Sequence, residues 1–325
     1  MASEPQLKIA IADYGHTRAI KSGEAPIRGI KPDFIQVQPI IGAFRRMVRD
    51  VEFDVCEMAP TTYMIARALG APFKAIPIFI MRRFHHSGFV VRPDAGIKSP
   101  KDLEGKKVGV RAYSVTTGVW TRGIFTNEYG LDSSRVTWVV DDEEHVTTLK
   151  LPPNVMHAPA GRSLADMMAA GELQAAFTGN AGIGRAGSPT GGAWKTVEKP
   201  DYPELIENPE KAEAEWFKRT GIYPIHGLIV VRDEILWKHP FVARALYDAF
   251  VEAKKPYMAQ LKSGAGDSAD DKKYRGLASI VGDPLPYGMK ANLPSIEAML
   301  TYGLQQKLIP RPMTLEEAFV DPEKV

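Results

Sequence analysis

The chain has 325 residues, 44% of them hydrophobic and 25% charged, with a net charge of +2. That is ordinary globular composition at a length that usually makes two lobes, each with a real core. Lysine and arginine are spread along the chain, which excludes a broad basic surface for nucleic acid or an anionic membrane.

The chain opens MASEPQLKIAIADYG, without a basic n-region, an apolar h-region or a cleavage site. No charge-free apolar run approaches the ~20 residues of a membrane span. The single cysteine, Cys56, allows no intrachain disulfide. A cytoplasmic location is the expectation.

LKIAIADY (7–14) reads as a strand ending in a polar turn, and FIQVQPI (34–40) alternates like a second strand. GAFRRMVRD (42–50) has helical spacing, with Phe44, Met47 and Val48 on one face. FDVCEM (53–58) predicts a strand, APTTYMIARAL (59–69) a helix, and AIPIFIM (75–81) and SGFVVR (87–92) two more strands. Strands alternating with helices indicate a parallel α/β sheet.

After Asp94 the pattern begins again. Residues 99–130 read helix, strand, turn, helix; VTWVVDD (136–142) is a strand. Residues 162–177 hold a helix capped by Ser163, with Asp166 in its first turn and an end at Gly171, then a short strand. NAGIGRAGSPTGGAW (180–194) is Gly-rich loop. IHGLIVVRDEIL (225–236) is a strand resembling SGFVVRPD, residues 239–261 are a long amphipathic helix, and 263–273 are a polar loop. The fold expectation is α/β with two lobes, each a mainly parallel sheet flanked by helices, joined by two crossover strands. Lobe one takes 1–92 and 226–325 and lobe two 93–225, with the ligand in a cleft between them.

Three features carry chemistry. FDVCEM–APTTYMIARAL and VGVRAY–SVTTGVWTRGI share one local design: strand, short turn, Thr-Thr, helix. Thr61, Thr62, Thr116 and Thr117 either cap their helices or, with the helix N-termini, bind a ligand bearing two anionic groups. DYGHTRAI (13–20) follows the first strand and places Asp13, His16 and Arg18 where an active-site loop would sit. IFIMRRFHHSGFVV (78–91) sets Arg82, Arg83, His85 and His86 in an apolar strand. Alternation puts Arg82 and His86 on one face and Arg83 and His85 on the other. An arginine and a histidine at a cleft strand suit an acidic substrate; an ion pair with an acid such as Glu57 is the other reading.

GIGRAG (182–187) matches the dinucleotide pattern but SPTGGA forbids the helix that must follow, so it is rejected. The acidic run Asp141–Glu144 with His145 reads as a solvated loop rather than a metal site. His226 either reaches the cleft or packs in the core.

The chain resembles the 4,5-dihydroxyphthalate decarboxylase family. The resemblance is carried by DYGHTRAI, FDVCEM, RRFHHS, SPKDLEGKKVGV, VWTRGIF, NEYG, TGIYPI, DPLPYG and TLEEAFVDPE, in that order along nearly the whole chain. It departs where the family has Pro-Glu-Tyr-Gln-Met-Thr and this chain has Arg111, Ala112, Tyr113, Ser114, Val115 and Thr116. It departs again at His85-His86, where the family has Arg-His, and at Gly15 and His16, where the family has Asp and Arg. These changes fall on the expected ligand surface, which brings Arg111 and Tyr113 into the substrate-binding set.

The resemblance implies the type II periplasmic-binding-protein-like fold and decarboxylation of a hydroxylated aromatic dicarboxylate, 4,5-dihydroxyphthalate giving protocatechuate and CO2, as in phthalate degradation. Arg18 and Arg82 are then expected to hold carboxylates, with the four threonines at the helix termini. His86 is the first choice for proton transfer, with His85, His16 and Glu57 in reserve. No organic cofactor is expected; a divalent metal held through His16, Glu57 or His86 stays open. The expected partner is a small aromatic carboxylate, with no nucleic acid and no membrane; a homo-oligomer is left open. The competing readings are a solute-binding protein for a small organic anion and a different lyase on the same fold.

Overall fold

The structure, a computed structural model, describes residues 4–186, 195–197 and 202–324. In chain order come β1 (Gln6–Ala10), α1 (Arg18–Lys21), β2 (Lys31–Phe34), α2 (Ile41–Asp50), β3 (Val55–Met58), α3 (Pro60–Ala68) and β4 (Phe73–Arg82). Then follow β5 (Phe89–Val91), β6 (Lys107–Gly109), α4 (Thr116–Tyr129), β7 (Thr137–Val140), β8 (Val155–His157), α5 (Leu164–Ala169), β9 (Ala175–Phe177), β10 (Arg185–Ala186), β11 (Lys195–Thr196) and α6 (Pro209–Thr220). The chain ends with β12 (Ile225–Arg232), α7 (Asp233–Lys238), α8 (Phe241–Lys262), α9 (Ala269–Val281), α10 (Leu293–Gln305) and α11 (Leu315–Ala318).

Two units result. Unit 1 is Met1–Arg83, Gly221–Glu297 and Met313–Val325; unit 2 is Phe84–Thr220 and Ala298–Pro312. The expected lobes differ from these at three places. Residues 84–92 belong to unit 2 because β5 pairs with β9 there. Residues 221–225 go with unit 1, where Ile225 pairs with Arg82. Residues 298–312 go with unit 2, where the Gln306 side chain accepts from Arg122 Nε at 2.8 Å and donates to the Val119 carbonyl at 2.8 Å.

The sheet of unit 1 has the order β2-β1-β3-β12-β4, and that of unit 2 β5-β9-β6-β7-β8. In each, one strand runs against the rest: β12 is antiparallel to β3 and β4, and β5 is antiparallel to β9. These are the two strands whose sequences resemble one another, so both sheets are mainly parallel, as expected. The open edge of β4 is covered by the C-terminal segment, where Val320 N donates to the Ala75 carbonyl at 2.9 Å.

The helices form where apolar spacing demands. In α8, Val242, Leu246, Ala249, Phe250, Ala253 and Tyr257 recur every three or four residues and bury one stripe. Its residues from Val242 to Ala253 pack with Leu7, Ile9, Ile76, Ile78 and Ile229 into the core of unit 1, and Tyr257 joins a smaller cluster with Leu261, Tyr274 and Leu285. In unit 2, Ser163 caps α5 by accepting from Asp166 N, as expected, and Leu164, Met167 and Met168 join Val90, Val139 and Ala176 in the core.

Three local expectations are corrected. The second strand is β2 at Lys31–Phe34, and 35–40 is not a strand: β2 begins its ladder with β1 three residues earlier than the alternation suggested. The strand expected over 225–236 stops at Arg232, and Asp233 and Glu234 open α7, where acidic side chains suit a helix N-terminus. The polar loop expected over 263–273 becomes α9 from Ala269, because Ser268 and Asp271 form a capping box. Of the Gly-rich stretch 180–194, residues 187–194 lie outside the described residues. Among the described residues no helix is long and apolar enough to cross a membrane.

Candidate active site

Parallel strands β1 and β3 end side by side in unit 1, Ala10 paired with Cys56. Glu57 is the next residue of β3, and the loop Ile11–Thr17 leaves β1 at the same level. Carboxyl ends of parallel strands are where such sheets bind ligands. The Glu57 carboxyl is 1% exposed. It accepts from the Tyr14 hydroxyl at 2.6 Å and from Ala12 N at 3.0 Å. Burial pushes it up to about 7; the Tyr14 and Ala12 hydrogen bonds and the Lys21 charge pull the other way without cancelling it. A carboxyl that titrates near neutrality can give or take a proton at working pH.

Tyr14 stacks face to face on His16, ring centres 5.3 Å apart. His16 is buried, with Tyr257 tilted against it at 5.7 Å and Tyr274 edge-on at 6.2 Å. Burial pushes its imidazole down to about 3, only partly offset by its hydrogen bond to the Ile80 backbone. Burial therefore favours its neutral form at working pH.

Tyr14 also lines a pocket of about 520 Å³ with Asp13, Arg18, Lys21, Tyr257 and Asp271. Lys21 is paired with Asp13. Asp271 accepts from the Tyr257 hydroxyl at 2.9 Å. Arg18 is exposed, and its guanidinium makes no ion pair among the described residues. The Tyr257 ring lies against Gly15 so closely that a Cβ there would stand 2.2 Å from a ring carbon. Only glycine fits that approach.

Arg82 does not serve as expected. Its side chain is 1% exposed, and its donors go to the Pro224 carbonyl at 3.1 Å, the Tyr223 carbonyl, Asn292 and Ser295, with the Tyr223 ring 4.3 Å from its guanidinium carbon. Its fork braces unit 1 and is not open to a carboxylate. Nor does alternation extend through RRFHHS. β4 ends at Arg82, so no strand sets a common face for Arg82 and His86. Phe84, His85 and His86 belong to unit 2. His85 stacks flat on Trp120 at 6.4 Å. His86 lies edge-on to Trp216 at 5.1 Å, and burial pushes it down to about 4. Burial favours its neutral form too, and it shares no strand face with Arg82, the ground on which it was expected to be the acid.

The threonine pairs are not caps. Ala59 precedes α3 with Pro60 at its first position, and Val115 precedes α4; neither helix has a side-chain cap. Thr61, Thr62 and Thr116 are buried in the first turns, and Thr117 is half-buried. The turn before α4 already holds an anion. Glu144 accepts from Tyr113 N at 2.6 Å, from Ser114 N at 3.1 Å and from the Ser114 hydroxyl. The acidic run is thus not a solvated loop. Asp142 pairs with Arg111 at 3.2 Å, and Asp141 with Arg185 at 3.0 Å. Arg111 is consequently bound to protein, and the Tyr113 ring is covered by the Arg122 guanidinium at 4.0 Å. His226 lies in β12; burial, with the charges of Arg83 and Lys273, pushes it well below its usual range.

A 4,5-dihydroxyphthalate decarboxylase of Comamonas testosteroni is 31% identical to this chain over 330 residues, covering 98% of this chain and 97% of that one. The chain belongs to the 4,5-dihydroxyphthalate decarboxylase family. A second protein of that name, from Pseudomonas putida, is 33% identical over 232 residues, covering 67% of this chain and 86% of its own. The family described as the periplasmic substrate-binding protein of phosphonate ABC transporters matches residues 34–186. Among solved structures, the periplasmic sulfonate-binding protein SsuA of Methylobacillus flagellatus KT superposes with a TM-score of 0.55 at 12% identity, over 99% of this chain and 93% of that one. The last likeness carries the fold alone. This member of the decarboxylase family has the type II periplasmic-binding-protein-like architecture, and as a member it is a carboxy-lyase.

Within this decarboxylase-family chain, the structure brings Glu57, His16 and Arg18 together around Tyr14. Sequence reading passed over Tyr14, Tyr257 and Asp271. Tyr14 stands inside DYGHTRAI, but a tyrosine in a polar turn has no signal that separates packing from chemistry. Asp271 did have one, the Ser-x-x-Asp box. Among the described residues no three histidine, cysteine or acidic side chains gather as metal ligands would.

Proposed function

We propose that the chain removes one carboxylate from 4,5-dihydroxyphthalate, or from a close hydroxylated aromatic dicarboxylate, giving protocatechuate and CO2 without metal or organic cofactor. The observation that carries the reading is the buried Glu57 carboxyl, pushed up to about 7 and hydrogen-bonded to a tyrosine that lines a pocket with an uncommitted arginine. The names of the two relatives support the substrate.

The difficult step is placing a proton on the ring carbon that bears the departing carboxylate. A hydroxyl para to that carbon feeds electron density into the ring, so the substrate stabilises its own intermediate and no external electron sink is required. What remains for the protein is a cation for a carboxylate and an acid for the carbon. Arg18, whose planar fork matches a carboxylate, takes the first role. Glu57 in its protonated form supplies the proton. The rate therefore falls as pH rises through about 7, when Glu57 loses that proton.

The test is a substrate series. The dihydroxy acid is expected to turn over, 4-hydroxyphthalate more slowly, and phthalate, with no para hydroxyl, not at all. Equal rates across the three would show that the ring hydroxyl is not the source of stabilisation.

A further inference from the structure

Glu57 is 1% exposed and does not line the pocket, whereas Tyr14 does both: it faces the pocket and bonds Glu57. A proton passing between Glu57 and a bound ring has to cross that contact. Oε1 of Glu57 faces the Tyr14 hydroxyl and Oε2 faces Ala12 N, so the acid proton sits on Oε1. With Glu57 protonated the bond reverses: the carboxyl donates to the phenol oxygen, and the Tyr14 hydrogen turns to the pocket.

We propose that Tyr14 is a catalytic residue, handing its hydroxyl proton to the ring carbon while taking another from Glu57. This rests on the decarboxylase reading above. In the step, the Tyr14 O–H bond breaks and a ring π pair forms the new C–H bond. The Glu57 O–H bond breaks and its proton goes to the Tyr14 oxygen. The bond from the ring carbon to the carboxylate then breaks, its pair refills the ring, and CO2 leaves. Glu57, left as a carboxylate, recovers a proton from solvent. The balance is ArCO2⁻ + H⁺ → ArH + CO2.

Burial and the adjacent Glu57 hold the Tyr14 phenol far above its usual range, so it can pass a proton but not store a charge. The groups that bear on the pair are Lys21 from α1 and Cys56 beside Glu57, with Tyr274 and Asp270 from α9 facing Tyr14. The stacking of Tyr14 on His16, whose imidazole is hydrogen-bonded to the Ile80 backbone, fixes the phenol's aim.

Tyr14→Phe keeps the ring stack and removes the relay. Its kcat is expected to fall by about 10²–10⁴-fold with KM within about threefold. The Glu57 carboxyl, read by NMR of ¹³C-labelled glutamate, is expected to titrate higher than in the unchanged protein, because the lost hydrogen bond favoured its charged form. A kcat within threefold, or an unmoved Glu57 titration, would overturn the relay. A purely structural role would lower the melting temperature and leave kcat of the folded fraction in place. On the unchanged enzyme, a proton inventory in mixed H2O and D2O is expected to curve, since two protons move together; a straight line would also overturn it. Should the unchanged protein release no CO2, the decarboxylase reading fails by itself, and the Glu57 titration still decides whether the two groups are coupled.

Discussion

Replacing Glu57 with glutamine separates chemistry from stability. In the unfolded chain this carboxyl titrates near its ordinary 4.5, and in the folded protein burial pushes it up to about 7. Between those values the folded state holds a proton that the unfolded state has released, so stability falls as pH rises. At about 1.4 kcal/mol per pH unit the cost reaches about 3 kcal/mol above pH 7. Glutamine has the same shape and no charge. Its amide oxygen can accept from Ala12 N, and its amide hydrogens can donate to the Tyr14 oxygen. Glu57→Gln is therefore expected to match the unchanged protein near pH 4.5 and to exceed it by about 3 kcal/mol at pH 8. The same variant should lose decarboxylation by about 10²-fold or more. Urea unfolding at pH 5, 6, 7 and 8 reads the first effect. A stability difference that stays flat across that range would refute the reasoning, because it would mean that Glu57 is ionised in the folded protein throughout.

Three further outcomes follow from the same geometry. Arg82→Ala should destabilise by about 3–5 kcal/mol, since it strands the Tyr223 and Pro224 carbonyls and Asn292 in the interior, with KM unchanged in the folded fraction; a raised KM at unchanged stability would return Arg82 to the ligand. Arg18→Ala should raise KM about 10–100-fold, the worth of a charged hydrogen bond, and leave urea unfolding unmoved because the side chain is exposed and unpaired. His86→Ala should keep kcat within about tenfold at pH 7, because a neutral imidazole donates no charge-bearing proton; a pH-rate limb near 4 that vanishes in the variant would instead give His86 the proton.

Local pattern reached most of the fold. Helices α2, α3 and α8 and strands β3, β4 and β7 stand close to where periodicity puts them, because their apolar spacing matches the faces they bury. The two resembling strands turned out to be the single reversed strand of each sheet. The site was legible only where sequence neighbours are also site neighbours, as in DYGHTRAI. Arg82 illustrates the limit. An arginine at the end of an apolar strand asks for an acceptor, and a ligand is one answer. The acceptors here are Tyr223, Pro224 and Asn292, more than a hundred residues away, and no local pattern announces them. Asp141, Asp142 and Glu144 were misread for the same reason: Arg111 and Arg185, which bury them, and the turn that binds Glu144 come from elsewhere in unit 2. Glu57 ranked below His86 because alternation placed His86 on one face with Arg82, a face that ends with β4 at Arg82. Burial reversed that order, moving Glu57 up to about 7 and His16 and His86 down to about 3 and 4.

The central claim is that this chain decarboxylates a dihydroxylated aromatic dicarboxylate with its own side chains and the substrate's own ring. The direct measurement is release of ¹³CO2 from 4,5-dihydroxyphthalate labelled in one carboxylate, by protein dialysed against a strong chelator. The account predicts ¹³CO2 and protocatechuate accumulating together, at a rate that added divalent metal leaves unchanged and that falls as pH passes about 7. No CO2 from this or any hydroxylated aromatic acid, or release that depends on restored metal, would contradict it.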